Sequence, residues 1–123
     1  MNLLLSLTEQ CNLRCSYCYY KESQVERANV MSDEVLEASL RLAFDRTIEL
    51  KHTLLNITFF GGEPLLQLPS IKKAVKWAKK MRQERSEELP EDFRIRFFIN
   101  TNGTLATESI LEYLKIEKIQ PLL

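Results

Sequence analysis

Residues 54–64 read LLNITFFGGEP, and the rest of the chain can be organised outward from this stretch. Leu54–Phe60 has strand length and is nearly continuous in apolar residues, as expected for a strand covered on both faces. Gly61-Gly62-Glu63-Pro64 then ends it with residues that turn and stiffen the backbone. The same strand-then-motif pattern occurs twice more. Leu3–Leu7 (LLLSL) runs toward CNLRCSYC at 11–18, and Phe93–Ile99 (FRIRFFI) runs into NTNGT at 100–104. Helical periods separate the strands. One helix is expected from the N-cap Ser32, with Asp33 and Glu34 in its first turn and Met31 and Leu36 stapled across the cap. Its apolar stripe is Leu36, Leu40, Ala43 and Thr47. A second is expected after Ser70, with Ile71, Ala74, Val75, Ala78 and Met81 on one face, and a third after Thr107, with Ile110, Leu111 and Leu114 inward. Strand and helix repeated three times imply an α/β fold of parallel βα units with right-handed crossovers, and sites in such sheets gather at the C-terminal ends of the strands.

Composition narrows the function classes. The 123 residues include 17 Lys plus Arg and 17 Asp plus Glu, so the net charge is zero and binding of nucleic acid by bulk charge is not expected. Apolar runs of about five residues fall far short of the roughly 18 of a membrane span. The start, MNLLLSLTEQ, lacks the charged n-region of a signal peptide, so a cytoplasmic protein is expected. Lys72, Lys73, Lys76, Lys79, Lys80 and Arg82 make a basic block on the second helix, read as a solvated outer face because acidic residues follow at once. Trp77 beside it is read as packing.

All 3 cysteines lie within eight residues, at 11, 15 and 18. An odd, clustered set does not suggest a disulfide framework; it suggests a soft metal centre, zinc or an iron–sulfur cluster. Structural zinc normally takes four protein ligands, and the single histidine, His52, is far away in sequence with nothing to mark it as one. A [4Fe–4S] cube on three thiolates leaves one iron open to substrate or cofactor. Backbone carbonyls at Gly61 and Gly62 together with the Glu63 carboxylate suit a cationic amino group. By itself each turn motif also has an ordinary reading: Gly-Gly-Glu-Pro as a strand exit and Asn102-Gly103 as a common turn.

Taken together, CNLRCSYC, GGEPLL and TNGTL in this order and spacing resemble the N-terminal half of a radical S-adenosylmethionine (SAM) enzyme. The resemblance spans about residues 3–105 and is strongest to the SPASM-type branch that matures peptides and sulfatases. It implies that Cys11, Cys15 and Cys18 hold the [4Fe–4S] cluster, whose open iron is chelated by SAM. It further implies that Tyr17 lies by the adenine, that Gly61, Gly62 and Glu63 receive the SAM amino group, and that Asn102 faces cofactor or substrate. The activity implied is reductive cleavage of SAM to a 5′-deoxyadenosyl radical that modifies a peptide or protein side chain. An external donor such as a flavodoxin or ferredoxin would supply the electron. Other radical SAM chemistry, on a glycyl-radical partner or a nucleic acid, and a non-catalytic cysteine-based metal module are the competing readings. The family fold is a partial (β/α)6 barrel, about twice this length. Residues 1–123 are therefore expected to form a single core domain, truncated at KIEKIQPLL where a fourth strand would begin. The third strand would then be the open edge, with apolar residues such as Phe59 and Phe98 or their neighbours uncovered.

Overall fold

Parallel strands cannot be joined by a tight turn, so a chain that pairs them must cross over, and here it does so through helices. The computed structural model describes residues 1–8 and 30–122. Strands β1 (Asn2–Thr8), β2 (Leu54–Gly61), β3 (Arg94–Asn100) and β4 (Ile119–Leu122) form one sheet in the order β1-β2-β3-β4, every neighbouring pair parallel. Helices α1 (Asp33–Glu49), α2 (Leu68–Glu84) and α3 (Glu108–Ile116) occupy the three crossovers. Sequential order with crossovers of one hand places successive helices on the same side of the sheet, which is the winding of a barrel and not of a doubly wound sheet.

Burial along the strands follows from this. Leu5 and Leu7, Leu55, Ile57 and Phe59, Phe97 and Ile99, and Ile119 form one core with the helices, while alternate residues lie on the opposite face. That opposite face carries Ser6, Asn56, Thr58 and Arg96 beside Leu4, which is 67% exposed, and Phe60, 38% exposed. The expectation of strands covered on both faces is thus corrected: among the described residues only one face is covered. Of the residues expected to be uncovered, Phe59 is fully buried on the helix side, its ring stacked on Phe97 at 6.2 Å, and its neighbour Phe60 is the exposed one. Phe98 lies on the other face and is half-buried. β4 is also present, contrary to the expected break. Ile119 enters the core, and register pairs run from Phe97–Ile119 to Asn100–Leu122, so β1 and β4 are the edges of the described sheet.

The helix caps are local and behave as read. Ser32 Oγ accepts from Val35 N–H at 3.2 Å and Thr107 Oγ1 from Ile110 N–H at 3.3 Å. Phe44 joins the α1 stripe, meeting Phe93 at 6.1 Å between ring centroids. α2 begins at Leu68, earlier than Ser70, because a single 3-10 turn, Pro64–Gln67, leads into it and Pro69 fits a first helical turn. In α3, Leu111 is 54% exposed and Tyr113 packs against the core instead; burial, with Glu117 adding its charge, pushes the Tyr113 hydroxyl up to about 12. The basic face of α2 is largely committed to neighbours. Lys73 pairs with Asp33 of α1 at 2.6 Å, Lys79 with Glu117 after α3, and Lys72 lies 5.1 Å over the Tyr113 ring. Beyond the end of α2, Arg85 bonds both Asp45 of α1 and Glu88, which holds Glu88 below the usual carboxylate range. No helix among the described residues is long and apolar enough to cross a membrane.

Phe59→Ala should remove a fully buried ring from the centre of this core and destabilise the chain by about 3–5 kcal/mol. Chemical denaturation of the two proteins measures it, and a loss below 1 kcal/mol would mean that the Phe59–Phe97 stack is not central.

Candidate functional site

Every strand of a parallel sheet ends at the same rim, so the segments after β2 and β3 meet there, beside the end of β1. β1 ends at Thr8, which is buried and forms an antiparallel bridge with Val30, while Met31 N–H donates to the Leu7 carbonyl at 2.8 Å. Residues 9–29 therefore leave and rejoin the fold at one point of the rim. Cys11, Cys15, Cys18 and Tyr17, all expected in the site, belong to that segment and lie outside the described residues.

The β2 exit is drawn against β1. Gly62 N–H donates to the Thr8 carbonyl at 2.8 Å, and the strand register shifts between Ser6 and Thr8 to bring this about. Gly61 has φ +141°, and a Cβ there would sit 2.3 Å from the Thr8 carbonyl oxygen. Only glycine allows this approach. Gly61→Ala should therefore cost at least the roughly 1–3 kcal/mol of a strained backbone residue, on top of the steric shift, and lower the melting temperature accordingly. Wild-type stability in Gly61→Ala would show that the β1–β2 junction has more slack than this geometry allows.

Glu63 follows, with no exposed surface. Its carboxylate caps the 3-10 turn, Oε1 accepting from Leu65 N–H at 3.1 Å, and it reaches across to the β3 exit. There Oε2 accepts from Asn102 N–H at 2.8 Å, and Oε1 accepts a short hydrogen bond from the Thr101 hydroxyl. Thr101 Oγ1 in turn accepts from Gly103 N–H at 3.1 Å. Asn102 is exposed, and its Oδ1 accepts from both the N–H and the hydroxyl of Thr104, at 3.0 and 2.8 Å. A carboxylate offers about four acceptor sites, and three of Glu63's are filled from within the chain.

The structure thus brings Gly61, Gly62, Glu63 and Asn102 together with the two anchors of the cysteine segment. Sequence reading missed Thr101 and the Thr8 carbonyl. Thr101 stands inside the NTNGT motif, but a threonine after a strand carries no distinguishing signal until its partner is known. The Thr8 carbonyl is backbone and has no residue signature at all. Chemically, glycine carbonyls beside a buried carboxylate suit an ammonium group, and three neighbouring thiolates suit an iron–sulfur cluster, so the residues present fit SAM and a [4Fe–4S] cluster. Among the described residues no group of His, Cys, Asp and Glu could hold a metal ion.

Comparison with known proteins gives a consistent result. A serine-type anaerobic sulfatase-maturating enzyme of Bacteroides thetaiotaomicron is 36% identical over 112 residues, 85% of this chain and 24% of that protein. A cysteine-type anaerobic sulfatase-maturating enzyme of Clostridium perfringens is 28% identical over 120 residues, 94% of this chain and 30% of its own length. A solved structure described as native anSMEcpe with bound AdoMet and a Cp18Cys peptide superposes with a TM-score of 0.72 at 28% identity, over 98% of this chain and 30% of that one. The chain spans about a third or less of the curated relatives it matches. The Radical SAM superfamily profile matches residues 5–119, nearly the whole length, and the chain belongs to that superfamily.

Proposed function

We propose that this chain is the cluster- and SAM-binding portion of an enzyme that cleaves SAM reductively and uses the resulting radical to modify a peptide or protein side chain. The observation that carries the reading is that the motifs at the exits of β2 and β3 meet on one rim beside the end of β1, joined by Gly62 to Thr8 and by Glu63 to Thr101 and Asn102. Cys11, Cys15 and Cys18 would hold the cluster, and Tyr17 would lie by the adenine. Gly61, Gly62 and Glu63 would receive the SAM amino group through their backbone carbonyls, with Asn102 facing cofactor or substrate. The bound cluster would supply one electron, passed on from a donor such as a flavodoxin or ferredoxin, for cleavage of SAM to a 5′-deoxyadenosyl radical. The chain's own work is positional. The Thr8–Val30 bridge fixes where the cysteine segment is attached, and the buried Glu63 carboxylate holds the segments after β2 and β3 together. The peptide substrate class is supported by the two sulfatase-maturating relatives and by the peptide named in the solved neighbour.

Anaerobic reconstitution should yield a brown protein with four irons per chain whose absorbance changes when SAM is added. Replacing any one of the three cysteines by Ala should abolish that form. A colourless protein with one tightly bound zinc would overturn the reading in favour of a metal module.

Gly62→Val should keep the cluster but weaken SAM binding, because a branched side chain fills the cofactor's approach. Titration of the reconstituted proteins measures this, and equal affinities would remove Gly62 from the site.

A further inference from the structure

We propose that Glu63 is a positioning residue that locks the β3 exit onto the β2 exit, so that the two segments form one lip of the cofactor site, and that Thr101 is the second half of the lock. The inference rests on the proposed SAM-binding role of Gly61–Glu63 and deepens it: the carboxylate acts from behind the rim, through the loops it holds. Glu63 has no exposed surface, and its oxygens are turned toward Leu65 N–H, Asn102 N–H and the Thr101 hydroxyl. Thirty-eight residues separate Glu63 from Thr101, so this is a tertiary tie and not a local turn. The tie also stiffens the β3 exit from inside, since the Thr101 hydroxyl that donates to Glu63 accepts from Gly103 N–H.

The donor pattern explains why the position calls for a carboxylate. Oε1 faces one backbone N–H and Oε2 faces another. A glutamine in the same place must point its NH2 group at one of them in either orientation, leaving a buried donor against a donor. Glu63→Gln is therefore expected to break the tie and loosen both loops despite its near-identical shape. Thr101→Val removes the hydroxyl without changing the volume, and Thr101→Ser restores it.

Two measurements on the 123-residue chain test the lock. In the protein without cluster or SAM, amide hydrogen exchange of Glu63→Gln should rise in both 62–67 and 100–106, and Thr101→Val should raise exchange in 100–106. Exchange confined to 62–67 in Glu63→Gln would overturn the coupling, whether or not the chain binds SAM. In the reconstituted protein, Thr101→Val should weaken SAM binding about tenfold, the size of one hydrogen bond to a charged group. Thr101→Ser should recover it to within about threefold. The double variant should bind no more weakly than Glu63→Gln alone, as expected for two members of one unit. Wild-type SAM affinity in Thr101→Val beside a large loss in Glu63→Gln would mean that the carboxylate touches the cofactor directly, and the lock would be refuted. A wild-type chain that takes up no SAM would instead refute the proposed function, leaving the exchange data to decide the lock.

Discussion

A parallel strand delivers its chain to the far end of the sheet from where the next strand must start, and that constraint organises the molecule. Each strand needs a helix to return, each helix needs an apolar stripe to seat it, and each strand exit opens on the same rim. The three distinctive motifs of the sequence stand far apart along the chain, yet each follows a strand. That the exits of β2 and β3 meet beside the end of β1 is a consequence of topology before any side chain interacts. The sequential strand order adds the second half of the geometry, because helices gathered on one face leave the other face available as the wall of an interior. Its mixture of Ser6, Asn56, Thr58 and Arg96 with Leu4 and Phe60 suits such a wall better than it suits a packed core.

Burying Glu63 is the costly choice at that rim. A carboxylate withdrawn from water is stable only if hydrogen-bond donors replace the lost solvent, and here they come from two different loops. The cost becomes a specification, since any arrangement that moves the β3 exit away strands the charge. Gly61 acts similarly on the other side, where the absence of a side chain lets β2 close on the Thr8 carbonyl.

Much of this was legible in the sequence because the signals were local. Ser32 and Thr107 cap the helices that follow them, and the strands lie within a residue or so of where apolar runs place them. Ser70 has the chemistry of a cap, but α2 starts earlier, directly after a proline-led turn capped by Glu63. Phe59 and Phe60 could not be sorted between faces, since both are apolar and only the tertiary partner distinguishes them. Leu111 reads as core although Tyr113 is the one that packs there, because α3 has apolar residues on more than one side. β4 was missed because IQPL is short and contains a proline, features that suit an edge strand as well as a chain end. Within the site, the motif residues were legible and their couplings were not: nothing local in a threonine reveals a carboxylate 38 positions earlier.

The bridge between Thr8 and Val30 has a thermodynamic consequence for the segment between them. Pinning both ends of a 21-residue stretch removes a loop-closure entropy of about 2–3 kcal/mol, and the sheet supplies that pinning independently of any ligand. In general, ligands on a stretch tethered at both ends meet a metal at higher effective concentration than ligands on a free tail. Cluster assembly on this chain would then depend on folding of the β1–β2 sheet as much as on the cysteines themselves.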